Sequence, residues 1–258
     1  AKVTAGVCAV CGAALLVCAY VPDALDRDGL VAVLDVGQGD AIYIRTPAGK
    51  RLLIDAGGTI RFLKEGEEWR SRKKPFEVGR DVVVPLLMRR GVHALDMFFV
   101  THLDADHAGG ARAVLSSIPV KRLFFNGTVG GGAAAEGMFR AALEAGVPIT
   151  PLARGDIIVV DAETTIEVLH PERAGGLREE PNQNGASLVL LMTMRGRTFL
   201  FTGDIGVQEE RRIAVLEKGR FGAGGDAGGE PGAAAPVDVL KVAHHGSKSA
   251  TGGEWLSL

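Results

Sequence analysis

Between Thr101 and Gly110 the chain reads THLDADHAGG, which places His102, Asp104, Asp106 and His107 within six consecutive positions. Imidazole nitrogens and carboxylate oxygens at that density are the donor set of a divalent-metal centre. A loop can turn the run so that His102 and Asp104 face one ion while Asp106 and His107 face another. Two ions about 3.5–4 Å apart stabilise both the attacking and the leaving oxygen in phosphoester hydrolysis. The plainer alternative is a polar strand-to-helix turn with Asp106 as a helix cap. Two later segments share this layout of an apolar run ending in polar residues. FLFTGD (Phe199 to Asp204) releases Asp204 after Gly203, a residue that permits a tight turn. VLKVAHHGS (Val239 to Ser247) delivers His244 and His245 together, and Gly246 lets the backbone approach closely. A lone histidine is commonly structural, but a pair leaving an apolar strand points to a site.

Such loops need strands behind them. Leu95 to Val100 is an apolar run that feeds the first loop. Before it, Leu30 to Val36, Asp40 to Thr46 and Arg51 to Asp55 have strand character, the last two joined by Pro47-Ala48-Gly49. Asp81 to Arg90 reads as a helix despite Pro85, stopped by Gly91, and Ala108 to Ser117 as another. A strand over Arg122 to Phe125, a Gly/Ala-rich loop over Asn126 to Ala135 and a helix over Glu136 to Ala145 follow. Ile157 to Val160, Thr165 to Leu169, Ser187 to Met194 and Thr198 to Thr202 read as strands. Val207 to Lys218 is amphipathic: Ile213 and Leu216 share an apolar side, and Glu209, Glu210, Arg211 and Arg212 can face water. Gly219 to Pro236 is low-complexity loop, and Val237 to Val242 the last strand. Strands interleaved with helices indicate a layered α/β fold.

Composition narrows the partners. Lys+Arg 29 against Asp+Glu 31 gives a net charge of -2, which excludes a globally basic nucleic-acid binder but leaves room for a local patch. Aromatic residues at 5% argue against a broad base-stacking platform. All three cysteines, Cys8, Cys11 and Cys18, precede the main domain, so no thiolate site organises it; Cys8 and Cys11 read as small apolar residues on a buried helix. Val3 to Pro22 carries no charge and is long enough to cross about 30 Å of hydrocarbon as a helix. With no initial Met, the chain reads as a fragment beginning at the end of a transmembrane helix. A signal peptide and a soluble core helix are the alternatives. The expected division is residues 1–22 as that helix end, 23–29 as linker, and 30–258 as the main domain.

HLDADH, TGD and HHGS, in this order, resemble the metallo-β-lactamase superfamily, and the set LDVGQGD (Leu34 to Asp40), LLIDAGG, THLDADHAGG, SLVL, FTGD and VAHHGSKSA narrows it. Within it, the set is similar to the C-terminal domain of ComEC/Rec-type competence channel proteins. The resemblance implies an αββα sandwich, here C-terminally truncated because the family continues with further strands beyond HHGS. It implies metal ligation by His102, Asp104, Asp106, His107 and Asp204, with Asp204 bridging and Asp106 and Asp204 catalytic. His244 is the expected later histidine ligand, and His245 the less favoured of the pair. Asp55 resembles a buried carboxylate that orients the metal loop, and Asp40 is expected to support it. Asp104 stands where hydrolytic members often have His, which moves the preference of the two divalent ions towards Mn²⁺ or Mg²⁺, with Zn²⁺ possible. The superfamily's remaining histidine ligand has no clear equivalent. Asn184 is the substitute considered for it, as a metal or phosphate contact, and His170 is set aside as a surface histidine.

The resulting expectation is a metal-dependent nuclease domain acting on DNA, single-stranded for preference, during uptake at a bacterial cell membrane. The channel portion of the parent chain and other DNA-uptake proteins are the expected partners. Arg61, Arg70, Arg72, Lys73 and Lys74 in a charged loop, with Lys248 beside the paired histidines, would hold the phosphate backbone; should the loop not be the contact, Lys241 and Lys248 are next in line. A non-catalytic DNA-binding or gating module with a degenerate site, and a small-ester or lactone hydrolase, are the competing readings.

Overall fold

Alternating side chains in the apolar strands separate into two buried sets, and this division builds the layers. The computed structural model describes residues 2–20, 27–58, 75–130, 132–218, 220, 237–253 and 255–257. In chain order the elements are α1 (Lys2–Tyr20), β1 (Leu30–Val33), β2 (Ile42–Arg45), β3 (Arg51–Ile54), a π turn (Gly79–Val83), α2 (Val84–Arg89) and β4 (Met97–Val100). Then come α3 (Ala105–Ala108), α4 (Ala111–Ser117), β5 (Leu123–Phe125), β6 (Thr128–Val129), α5 (Gly132–Glu144), β7 (Ile149–Pro151), β8 (Ile157–Asp161) and β9 (Thr164–His170). β10 (Arg178–Glu179), β11 (Val189–Met194), β12 (Arg197–Phe201), α6 (Val207–Leu216) and β13 (Val239–Lys241) complete the sequence.

One sheet has the order β1-β2-β3-β4-β5-β7 and the other β13-β12-β11-β9-β8, while β6 and β10 pair separately. Tyr43, Leu53, Phe98 and Val100 face a cluster with Leu87, Val114, Leu115 and Met138 of α2, α4 and α5. Their neighbours Ile42, Ile44, Leu52, Ile54 and Phe99 face the second sheet and meet Ile166, Val168, Leu190 and Met192. Leu169, Val189, Leu191 and Leu200 point out of that sheet's far side onto Ile213 of α6 and Trp255. Three apolar layers between four layers of structure make the expected αββα sandwich. Burying each such side chain contributes about 1.5–3 kcal/mol, so the strand ends that carry the polar loops rest on a rigid base.

Several expectations need correction. The helix over Ala108 to Ser117 is two short helices, because Gly109 and Gly110 pack against the backbone of Ala105, Gly58, Ala56 and Gly79. The Gly/Ala-rich loop contains β6 and the start of α5; its alanines support helix from Gly132 onward. Leu216 is exposed, and Glu210, expected in water, is buried. Its carboxylate accepts the backbone N–H groups of Thr251 and Gly252, at 2.6 and 2.9 Å, and so holds the segment beyond the paired histidines. The apolar N-terminal run is helical, and its Val3, Val7, Val10, Leu15, Leu16 and Val17 are exposed, as are Cys8 and Cys11, rather than buried as expected. Among the described residues no helix is long and apolar enough to cross a membrane. Arg61, Arg70, Arg72, Lys73 and Lys74 lie outside the described residues, as does nearly all of the Gly219 to Pro236 segment.

Candidate metal centre

The polar loops meet at one end of the sandwich, where β3, β4, β12 and β13 terminate. Asp55 follows β3 in the left-handed region, at φ 56, and is buried. Its carboxylate accepts the Thr101 backbone N–H and hydroxyl, both at 2.7 Å, and lies 2.8 Å from His107 Nδ1. This carboxylate thereby fixes both ends of the loop after β4 and turns Nε2 of His107 into the site. A carboxylate on the far nitrogen of a ligating imidazole sets its tautomer and orientation. Replacing Asp55 with Asn is expected to weaken Mn²⁺ binding by about 10–100-fold; calorimetric titration reads it, with circular dichroism checking the fold.

Around His107 Nε2 stand Asp204 Oδ2 at 3.3 Å and His245 Nε2 at 3.4 Å. His245 Nε2 lies 3.0 Å from Asp204 Oδ2 and 3.6 Å from Asp106 Oδ2, and its Nδ1 is 3.7 Å from Asp40 Oδ1. Two overlapping groups of potential ligand atoms result, Asp40-His107-Asp204-His245 and His102-Asp106-His107. Asp104 is 3.8 Å from His102 Nε2 and its side chain is 44% exposed, so it forms the solvent edge.

His102 supplies the test of whether a metal fits. It is fully buried, and Nδ1 lies 3.1 Å from the Thr101 hydroxyl oxygen. That hydroxyl already spends its proton on Asp55, so here it accepts, and His102 Nδ1 is the donor. Nε2 then carries a bare lone pair, and it has no hydrogen-bond partner among the described residues. Burial and the neighbouring His107 charge push its pKa down to about 3, so protonation does not satisfy it. A buried lone pair beside carboxylates is what a cation would complete, and the residues present fit a divalent ion.

The remaining charges agree. Burial works against the imidazolium of His107, but Asp55 and Asp204 overcome it and raise the pKa to about 10. Hydrogen bonds with Asp106 and Asp204 raise His245 to about 9. Burial alone would raise the Asp204 carboxyl, yet hydrogen bonds from His107 and His245 and the charge of Lys241 hold it far below the usual range. Asp106 is lowered by its contact with His245, whereas burial and the adjacent Asp106 raise Asp104.

The structure thus brings together His102, Asp106, His107, Asp204 and Asp40 and, of the paired histidines, places His245 rather than His244 among them. His244 and His245 both have positive φ, 49° and 52°, followed by Gly246 at 76°. This tight left-handed turn splays the rings to 77° and sends His245 inward. His244 stands edge-on to His245 and exerts an electrostatic pull on Asp104, while its N–H donates to Gly203 O at 3.2 Å and docks the turn. Asn184 sits half-buried on the short turn before β11. His170 is buried rather than on the surface, with Nε2 2.9 Å from Gly185 O, so it is committed elsewhere. Lys248 is exposed just beyond the histidine turn. Sequence reasoning missed Gln183, whose Oε1 lies 3.4 Å from the Leu103 N–H and 3.0 Å from the Thr128 hydroxyl, and so ties the metal loop to β6. Lys241, considered from sequence as a reserve phosphate contact, instead points its ammonium at Asp40 and the Gly203–Asp204 turn. Gly39, at φ 103, explains part of the VGQGD run: a Cβ there would lie 1.9 Å from Asp106 O.

Comparison with known proteins agrees with this geometry. The metallo-beta-lactamase superfamily profile matches residues 34–258. ComE operon protein 3 of Bacillus subtilis is 34% identical over 255 residues, covering 98% of this chain and 30% of that protein. Competence protein ComA of Neisseria gonorrhoeae is 29% identical over 92% of this chain and 27% of its own length. Recombination protein 2 of Haemophilus influenzae is 27% identical over 88% of this chain and 22% of its own. The chain therefore spans less than a third of these relatives. With the profile covering most of its length and the histidine–carboxylate cluster at the strand ends, the chain belongs to the metallo-β-lactamase superfamily.

Proposed function

We propose that this domain is a divalent-metal-dependent phosphodiesterase that cleaves DNA, preferring single strands, within a protein of DNA uptake. The observation that carries the reading is the buried Nε2 of His102, without a hydrogen-bond partner among the described residues, facing Asp104 beside the cluster of Asp106, His107, Asp204 and His245. Bound divalent ions would supply Lewis-acid stabilisation of charge on phosphoryl oxygens. The chain's own residues hold that place: Asp55 orients His107, Thr101 orients His102, and Asp104 keeps the edge open to a polymer. Asp104, an oxygen donor where hydrolytic members often have His, moves the preference from Zn²⁺ towards Mn²⁺ or Mg²⁺ on hardness. Similarity to a competence protein and to a recombination protein supports DNA as the substrate.

The exposed apolar α1 and the greater length of the relatives support attachment to a membrane portion of a longer protein. In liposome flotation, binding that requires residues 2–20 is the expected result; equal flotation without them would remove that attachment. For the activity, labelled single-stranded DNA should be cut with Mn²⁺ at least as fast as with Zn²⁺, and cutting should disappear in Asp104→Ala/Asp106→Ala. DNA bound but never cut with Mn²⁺, Mg²⁺ or Zn²⁺ would instead favour a binding module. Turnover of esters or lactones alone would favour the small-molecule hydrolase.

A further inference from the structure

Lys241 is the last residue of β13, paired in register with Phe201 of β12, so its side chain stands beside the Gly203–Asp204 turn. The Thr202 hydroxyl donates to its backbone oxygen at 2.8 Å, which fixes the strand end. Its Nζ donates to Gly203 O at 2.8 Å, forms an ion pair with Asp40 Oδ2, and lies 3.5 Å from Asp204 Oδ1. The side chain is only 14% exposed. An ammonium has three donors, and these are three acceptors. We infer that Lys241 is a built-in counter-cation that claims Asp40 and one oxygen of Asp204, and so keeps a divalent ion off that side of the site.

The inference rests on the metal-binding reading above and refines it. By donor chemistry alone, Asp40 belongs to a group of possible ligands with His107, Asp204 and His245. Asp204 nevertheless divides its two oxygens. Oδ2 faces His107 and His245, whereas Oδ1 faces the ammonium. An ion on the Oδ2 side leaves Lys241 in place. An ion taking Asp40 and Oδ1 would have to displace a largely buried ammonium, whose like charge opposes it. The VGQGD motif then has a second purpose beyond its glycines: its Asp40 anchors a lysine rather than a metal. With its donors committed, Lys241 is a positioning residue and not a clamp on a phosphate backbone.

The test counts Mn²⁺ bound per chain by equilibrium dialysis and elemental analysis, on the full chain with fold checked by circular dichroism. Lys241→Met, which keeps the apolar stem and removes the charge, should bind one more Mn²⁺ than the wild type. A structural role alone would lower the count or leave it. Asp40→Asn should keep the wild-type count, and the double variant should return to it, because the gained ion needs Asp40. An unchanged or lower count in folded Lys241→Met, or loss of an ion in Asp40→Asn, would overturn the inference; should Lys241→Met not fold, the Asp40→Asn count decides. Wild-type protein that binds Mn²⁺ without the gain refutes the lysine's role alone. If only Lys241→Met binds Mn²⁺, the role stands and the wild-type metal reading fails; no binding in either overturns both.

Discussion

Changing His107 to alanine is expected to weaken Mn²⁺ binding by more than about 100-fold and to remove phosphodiester cleavage with it. Loss of a partner behind a ligand typically costs about 10–100-fold in affinity, and His107 stands in front of Asp55, within reach of Asp204 and His245. It also belongs to both groups of potential ligand atoms, so no neighbouring residue substitutes for it. The fold should persist, because Asp55 keeps both of its bonds from Thr101. Calorimetric titration and circular dichroism on one preparation separate loss of the site from loss of the protein. Near wild-type affinity in a folded variant would show that the ion is held elsewhere.

The second large effect is with pH. In the metal-free protein His107 and His245 have pKa values raised to about 10 and about 9 by facing carboxylates. Both imidazoles are then protonated at neutral pH, and ligation requires their free bases. Each displaced proton changes apparent affinity by about tenfold per pH unit, so Mn²⁺ affinity should rise by up to about 100-fold per unit between pH 7 and 9. Stability of the metal-free protein should move in the opposite direction. A histidine raised in the folded state contributes stability that is fully present below its unfolded value near 6.5. That contribution is lost as pH climbs through about 9 to 10. His102, lowered to about 3, has the reverse sign, so below pH 6.5 the unfolded chain gains a proton that the folded one refuses. Titrations at several pH values alongside urea melts without metal check both signs; a flat affinity profile would mean that neither imidazolium is displaced.

Much of this arrangement was legible from residue order. Apolar, strand-like runs located the long strands of both sheets, and the density of His and Asp after β4 marked the loop that carries the site. The short strands β6, β7 and β10, of two or three residues each, have too little period to be seen and form only against partners already in place. The choice between His244 and His245 turned on two left-handed backbone angles, which adjacent identical residues cannot reveal. Glu210 looked like one acid of a solvated helix face, and became buried because backbone N–H groups forty residues onward needed an acceptor. Lys241 read as a reserve phosphate contact, because the two carboxylates that engage it come from loops far apart in the chain.

The most direct measurement takes the chelated full chain, returns Mn²⁺ stepwise, and records bound ion and cleavage of labelled single-stranded DNA in the same samples. The account predicts no cleavage at zero occupancy, cleavage rising in proportion to bound Mn²⁺, and no response in His107→Ala. Cleavage that survives chelation, or full Mn²⁺ occupancy with the DNA left intact, would contradict it.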